Sequence, residues 1–82
     1  EKPVHRFFSQ DKPTCIAASP DGRYMVAGNA DGKLYGWEIS SGEMIFSVGE
    51  AHFQTVVCVK FAVDQSLLIS GSADGSVRVW SW

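Results

Sequence analysis

Three residues in the second half of the chain are of the types found in a hydrolase catalytic triad: His52, Ser70 and Asp74. A histidine that takes the serine proton, and a carboxylate that orients the histidine, would make Ser70 a nucleophile. Ser70, however, lies within an apolar run that reads as a strand, whereas a nucleophile needs an exposed turn to reach its substrate. We therefore predict that these residues are structural, that there are no catalytic residues and that the chain is not an enzyme.

Histidine and cysteine side chains can also bind a metal ion, and the chain has two of each: His5, His52, Cys15 and Cys58. No two of them have the separation of two to four residues that is typical of a zinc-binding pair. The glycines also lack the Gly-rich run, ending in Lys-Ser or Lys-Thr, that binds phosphate. We therefore expect no metal and no other cofactor.

Charge and apolar patterning argue against two further classes of partner, nucleic acids and membranes. The formal net charge is −2, and the seven Lys and Arg residues are scattered along the chain. Because nucleic-acid binders concentrate basic residues on one face, no direct nucleic-acid site is expected. The sequence also has no run of about 18 apolar residues, so no membrane span is predicted.

A repeat organises the chain, because residues 14–37 align with residues 57–80 without a gap at an offset of 43 residues. Seven of the 24 aligned pairs are identical: Cys15/Cys58, Asp21/Asp64, Gly28/Gly71, Ala30/Ala73, Asp31/Asp74, Gly32/Gly75 and Trp37/Trp80. A period of this length is typical of repeat architectures, in which one unit buries its apolar faces only against its neighbours. We therefore expect a fragment of a larger ring.

Each repeat is predicted to consist of short β-strands. The predicted strands are Thr14–Ala18, Tyr24–Gly28, Leu34–Trp37, Glu43–Val48, Val56–Phe61, Leu67–Ser70 and Val77–Trp80. Asp-Gly pairs between apolar runs predict tight hairpins. Strands that are apolar on both faces indicate sheets packed between other sheets, which radial stacking of four-stranded blades provides. The predicted fold class is all-β, with about two four-stranded blades of a β-propeller.

The second repeat carries the fuller motif, and with it the chain resembles the WD-repeat (WD40) family of β-propellers. The motif comprises His52, Val56, Val59 and Phe61, followed by Leu68 through Gly75 and Val77 through Trp80. The resemblance implies a non-catalytic scaffold for protein–protein interactions. Stretches such as Pro3–Phe8 and Leu34–Gly42 are similar to WD-repeat proteins that mature the large ribosomal subunit. That similarity implies pre-rRNA processing in the nucleus or nucleolus, with pre-ribosomal assembly factors as partners.

Two alternatives remain open: another WD adaptor, such as a ubiquitin-ligase substrate receptor or a subunit of a trafficking coat, and an enzyme, whose catalytic residues would have to lie in loops. The predicted division of the chain has three parts. Residues 1–11 form the outer strand of a preceding blade and a linker, residues 12–48 a first blade, and residues 53–82 a second blade without its outer strand. Because propellers close with four or more blades, we expect the isolated chain to aggregate or oligomerise.

The WD-repeat family has a buried, hydrogen-bonded tetrad, which the resemblance places here at His52, Ser70, Asp74 and Trp80. The indole N–H of Trp80 would donate to Ser70, and His52 would accept from Ser70 and donate to Asp74. The first repeat retains only Asp31 and Trp37, because Ala27 replaces the serine and Ser9 falls at the histidine position. The first blade should therefore hold its loop less firmly.

The resemblance also implies a partner-binding rim next to the tetrad histidine, here at Phe53, Gln54 and Thr55. A merely solvated loop is the alternative interpretation of these three residues.

Trp82 is expected to be exposed in an isolated chain. Cys15 and Cys58 are expected to be reduced, buried apolar residues, which fits an intracellular protein.

Overall fold

Seven β-strands make up the fold in the computed structural model, which describes residues 12–49 and 51–82. They are β1 (Pro13–Ala18), β2 (Tyr24–Asn29), β3 (Leu34–Glu38), β4 (Met44–Val48), β5 (Val56–Phe61), β6 (Leu67–Ser72) and β7 (Val77–Ser81). Within these ranges there is no helix, so the prediction of an all-β fold is confirmed. The outer strand predicted in residues 1–11 lies outside the described residues.

The strands form two antiparallel sheets in which consecutive strands are neighbours. The first sheet has the order β1-β2-β3-β4 and the second has the order β5-β6-β7. The hairpins between β2 and β3 and between β6 and β7 turn at Gly32 and Gly75, whose φ angles are +84° and +90°. Glycine suits both positions because a Cβ disfavours positive φ.

The core lies between the two sheets, which pack face to face. Val26 and Leu34 from the first sheet meet Val56, Phe61 and Leu68 from the second, and all five are buried. Burying one such side chain contributes about 1.5–3 kcal/mol. This interface therefore holds the two repeats together as one packed unit.

A glycine on β2 allows the close approach of the two sheets. A Cβ built at Gly28 would lie 2.5 Å from Cγ1 of Val56, well inside van der Waals contact. The missing side chain thus makes the space into which Val56 packs.

Trp82 closes the outer part of the same interface, so the expectation that it is exposed is wrong. Its ring centroid lies 4.9 Å from that of Phe61, 5.4 Å from Tyr24 and 5.5 Å from Phe46, all in edge-to-face geometry. Its backbone N–H also donates to the carbonyl of Ser66 at 2.9 Å. Trp82 therefore joins both sheets, because its aromatic neighbours come from each of them.

The far face of the second sheet is largely open. Val77 and Val79 are 71% and 60% exposed, and Cys58, on the same face, is exposed too. The expectation that both cysteines are buried is therefore wrong: Cys15 is half-buried against the second sheet, whereas Cys58 has no third sheet against it within the described residues. Burial raises the pKa of the Cys15 thiol.

The far face of the first sheet carries a second, smaller cluster. Ala27, Tyr35 and Trp37 are buried there, and Met25 packs against them.

The open apolar face of the second sheet accords with the expected aggregation of an isolated chain. That expectation stays a prediction, which sedimentation of the isolated chain tests.

Candidate functional site

The site is built where the loop before β5 meets the β6–β7 hairpin, and a buried histidine lies at its centre. His52 Nε2 is 2.8 Å from Ser70 Oγ, and the same hydroxyl accepts the indole N–H of Trp80 at 2.8 Å. The hydroxyl of Ser76 lies 2.8 Å from Nδ1 and donates its only proton to Asp74, so Nδ1 must carry the ring proton. Nε2 is then assigned as the acceptor of the Ser70 proton.

The second ring nitrogen of His52 contacts Ser76, which is not one of the four predicted tetrad residues. Nδ1 lies 2.8 Å from Ser76 Oγ, and Ser76 Oγ donates to Asp74 Oδ1 at 2.5 Å. Nδ1 itself is 4.0 Å from Asp74 Oδ2, which is too long for a hydrogen bond. The direct hydrogen bond expected between His52 and Asp74 is therefore replaced by a bridge through Ser76.

Asp74 is surrounded by donors. Oδ1 accepts the backbone N–H of Ser76 at 2.7 Å as well as its hydroxyl, and Oδ2 accepts the backbone N–H of Phe53 at 2.9 Å. The hydroxyl of Ser76, then the N–H of Phe53 and the N–H of Ser76, hold the pKa of Asp74 far below its usual range. The carboxylate therefore stays charged at neutral pH and serves as a fixed acceptor.

This arrangement leaves the triad-like residues without a path to a substrate. Ser70 is completely buried, and its hydroxyl is held between Trp80 and His52. A nucleophile must be exposed to reach an electrophilic carbon, which Ser70 is not. The geometry thus uses the polar groups of His52, Ser70 and Asp74 within the fold.

The loop that carries His52 is bound on one side by the first sheet. The backbone N–H of His52 donates to the carbonyl of Gly32 at 3.0 Å, and Thr55 Oγ1 donates to the carbonyl of Ala30 at 3.1 Å. Thr55 is half-buried, and its hydroxyl is thus engaged within the fold.

The other side of the loop is bound by the second sheet. Ala73 donates its N–H to the carbonyl of Thr55 at 3.0 Å, and Ser72 Oγ donates to the carbonyl of Gln54 at 3.2 Å. Phe53 and Gln54 are both exposed, Phe53 to 88%. Two of the three residues predicted for the rim therefore face solvent, on a backbone that both sheets hold.

The corresponding hairpin of the first sheet is built differently. Asn29 is buried, and its Oδ1 accepts the N–H groups of Asp31 and Lys33, both at 3.0 Å. Asp31 is exposed, and Lys33 occupies the position that Ser76 has in the second repeat. Ala27 and Trp37 are buried, while Ser9 and His5 lie outside the described residues.

Ser76 could have been found from a local signal in the sequence. It follows Asp74 by two residues, which is the spacing at which an aspartate side chain accepts a backbone N–H in a turn. The repeat gives no second signal for Ser76, because Lys33 stands at the equivalent position of the first repeat.

Residues 12–49 and 51–82 contain neither a cluster of metal-binding side chains nor a membrane-spanning helix. These residues contain no group of three or more His, Cys, Asp or Glu side chains placed to hold a metal ion. They also form no helix that is both long and apolar enough to cross a membrane.

Comparison with known proteins places the chain in a family. The profile described as "WD domain, G-beta repeat" matches residues 1–38 and 42–81. The crystal structure of the RRP9 WD40 repeats superposes with a TM-score of 0.85 at 23% identity, covering 90% of this chain and 24% of that one. At that identity the superposition shows the fold alone.

Two relatives show how the chain relates to longer proteins. Protein ROOT INITIATION DEFECTIVE 3 of Arabidopsis thaliana is 44% identical over 66 residues, which cover 80% of this chain and 15% of the relative. Pre-rRNA-processing protein IPI3 of Mycosarcoma maydis is 35% identical over 78 residues, which cover 95% of this chain and 13% of the relative. The resemblance to proteins of ribosome maturation is thereby confirmed.

The profile match, the two sheets and the superposition agree with one another. The chain belongs to the WD-repeat family, and its two sheets are part of a WD40 β-propeller.

Proposed function

We propose that the chain is part of a non-catalytic propeller scaffold that binds other proteins during pre-rRNA processing and maturation of the large ribosomal subunit. The observation that carries this proposal is the 35% identity with a pre-rRNA-processing protein over 95% of the chain. The same observation supports a location in the nucleus or nucleolus. The partners would be pre-ribosomal assembly factors.

The chemistry of the loop supports a scaffold over an enzyme. Ser70 is buried and Asp74 is saturated with donors, so these polar groups act within the molecule. We assign His52, Ser70, Asp74 and Trp80 to a structural tetrad, with Ser76 as its fifth member, that fixes the loop of Phe53. The exposed residues on that loop are then free to contact a partner.

The sheet topology supports the division into blades that the sequence predicts. Residues 12–48 contain the four strands of the first sheet, and residues 53–82 contain the three strands of the second. We assign these ranges to one blade and to the inner three strands of the next. The assignment of residues 1–11 to a preceding blade depends on sequence alone.

Affinity purification of the tagged full-length protein tests the proposed role. We expect precursors of the large ribosomal subunit to co-purify, and depletion of the protein to cause unprocessed pre-rRNA to accumulate. An unrelated WD-repeat propeller with the same tag is the control. Recovery of ubiquitin-ligase subunits or coat proteins, without pre-ribosomal material, would contradict the proposal and favour another WD adaptor.

A further inference from the structure

The loop from His52 to Thr55 holds one aromatic side chain out in solvent on a fixed backbone. Phe53 is 88% exposed, although its own N–H is bound to Asp74 and both neighbouring residues are bound to the hairpins. Single exposed apolar side chains are common on protein surfaces. An aromatic side chain on a backbone that is already ordered loses little conformational entropy on binding. Phe53 is therefore suited to contact a partner protein.

An unused carboxylate lies on the adjoining hairpin. Asp31 is exposed, and its backbone N–H donates to Asn29. Its carboxylate forms no hydrogen bond or ion pair within the part of the chain that the structure describes, in contrast to the carboxylate of Asp74. The charge of Asp31 is therefore not needed to close its turn and is available to a ligand.

Backbone contacts bring these two residues to one stretch of the rim. Gly32, which follows Asp31, accepts the N–H of His52, which precedes Phe53. A Cβ at Gly32 would overlap the carbonyl oxygen of His52 and would lie 2.9 Å from that of Gln54. The turn that carries Asp31 is thus seated directly against the loop that carries Phe53.

We infer that Phe53 and Asp31 together bind a lysine or arginine side chain in an extended segment of a partner protein. This inference rests on the proposed scaffold function and specifies the chemistry of its partner. The carboxylate of Asp31 would pair with the cation, and the face of the Phe53 ring would stack against it. The exposed amide of Gln54 lies next to Phe53 and can bond the backbone of the bound segment.

The charge of the rim favours a basic partner over an acidic one. Asp31 and Asp74 place two carboxylates on neighbouring hairpins, and Asp74 is held in its charged form. Lys33, on the same hairpin as Asp31, forms no ion pair with it. A segment rich in acidic residues would bring like charges together here, which is unfavourable.

Photo-crosslinking in the full-length protein tests the inference. p-Benzoylphenylalanine is placed at position 53 in cells, and the crosslinked peptides are identified by mass spectrometry. The control position is Val63, which is apolar and 94% exposed but lies in the turn at the opposite end of β6. We expect position 53, and not position 63, to crosslink to a segment that contains a lysine or arginine.

Charge reversal at Asp31 then tests the pairing. Asp31→Lys should reduce the crosslink at position 53 about fivefold or more, because the attraction becomes repulsion. Replacing the partner's basic residue with glutamate should restore the crosslink to the Asp31→Lys protein. A crosslink to an acidic or wholly apolar segment, or one unaffected by Asp31→Lys, would overturn the inference.

A synthetic peptide with the crosslinked sequence provides the affinity measurement. We expect Asp31→Asn to weaken binding about threefold to fivefold at low salt, and less at high salt where the charges are screened. Phe53→Leu, which keeps apolar area but removes the ring face, should weaken it about twofold to fivefold. Unchanged affinity in both variants would also overturn the inference.

The outcomes separate this inference from the scaffold proposal. If the full-length protein co-purifies with pre-ribosomal proteins but position 53 crosslinks to none of them, the scaffold function stands and the site is wrong. If no pre-ribosomal protein co-purifies, the proposed process fails, while a crosslink to a basic segment of another protein would still support the site.

Discussion

The two hairpin turns share the residues Ala-Asp-Gly but close with different hydrogen bonds. In the second repeat the Asp74 carboxylate accepts the N–H of Ser76, whereas in the first repeat the Asn29 side chain accepts the N–H of Lys33. The glycines have nearly the same φ, +84° and +90°. The shared tripeptide thus fixes the shape of the turn, and the residues two positions before and after the aspartate decide what its carboxylate does.

The same loop is held from its two sides in two different ways. The first hairpin contacts it through backbone, with Gly32 against His52. The second hairpin has one backbone contact, from the N–H of Ala73 to Thr55, and adds side-chain contacts, with Asp74 bound to the N–H of Phe53 and Ser76 to the His52 ring. The first contact is sensitive to added volume, and the second is sensitive to lost polar atoms.

The largest effect is expected from adding one methyl group to the first hairpin. Gly32→Ala should lower the free energy of unfolding by about 3 kcal/mol or more, because positive φ and overlap with the loop backbone add together. Gly75→Ala is the matched control: it has the same type of φ, but a Cβ there meets nothing within 4 Å. It should cost only about 1–2 kcal/mol. Equal losses in urea titrations of the two variants would contradict the backbone contact.

The tetrad in the second repeat gives the next largest effect. His52→Ala should lower the free energy of unfolding by about 1–3 kcal/mol, because the buried hydroxyl of Ser70 loses the acceptor of its proton. Phe53→Ala is the control, since removing an exposed side chain should change stability by less than about 0.5 kcal/mol. If melting of the His52→Ala protein were unchanged while Phe53→Ala was the costly change, the tetrad assignment would be wrong.

Much of the fold could be predicted because turn chemistry and apolar runs are local. Asp-Gly pairs and apolar runs located all seven strands to within two residues at either end. Burial of particular side chains was less predictable, because it depends on which sheet lies against which face. Cys15 and Cys58 occupy equivalent positions, but only Cys15 faces the other sheet.

Contacts between the repeats were the hardest part to predict. Gln65 has a φ of +65° in a turn whose equivalent in the first repeat is Gly22, at +75°. Its side-chain amide contacts the other turn: Nε2 donates to Asp21 Oδ2 at 3.1 Å, and Oε1 accepts the backbone N–H of Asp21. A glutamine in a turn carries no signal for such a contact, because the partner is 44 residues away.

The bridge through Ser76 should have a smaller effect than the histidine it contacts. Ser76→Ala should lower the free energy of unfolding by about 1 kcal/mol, because one hydroxyl that joins His52 to Asp74 is lost. Ser76→Thr keeps the hydroxyl and should retain most of the stability. If Ser76→Ala unfolded at the same urea concentration as the parent, or if threonine were no better than alanine, the bridge would contribute nothing measurable.

The smallest effect is expected in acid, where replacing Asp74 and replacing Asp31 should have different consequences for stability. The folded-state pKa of Asp74 lies far below its ordinary value of 3.8, so at low pH the unfolded chain binds more protons than the folded one. The stabilisation from this carboxylate is therefore complete above about pH 5 and is lost as the pH falls below its ordinary pKa.

Acid unfolding of two matched variants measures this difference. Asp74→Asn should unfold more easily than the parent at neutral pH, and its stability should fall less steeply between pH 5 and pH 2. Some acid sensitivity should remain in the Asp74→Asn protein, because the pKa values of Asp21 and Asp64 are also lowered by turn hydrogen bonds. Asp31→Asn is the matched control, since nothing in the described fold binds that carboxylate. If the two substitutions changed the acid profile equally, the hairpins would not differ in how they use their aspartates, and Asp31 would lose the unused charge on which its proposed binding role depends.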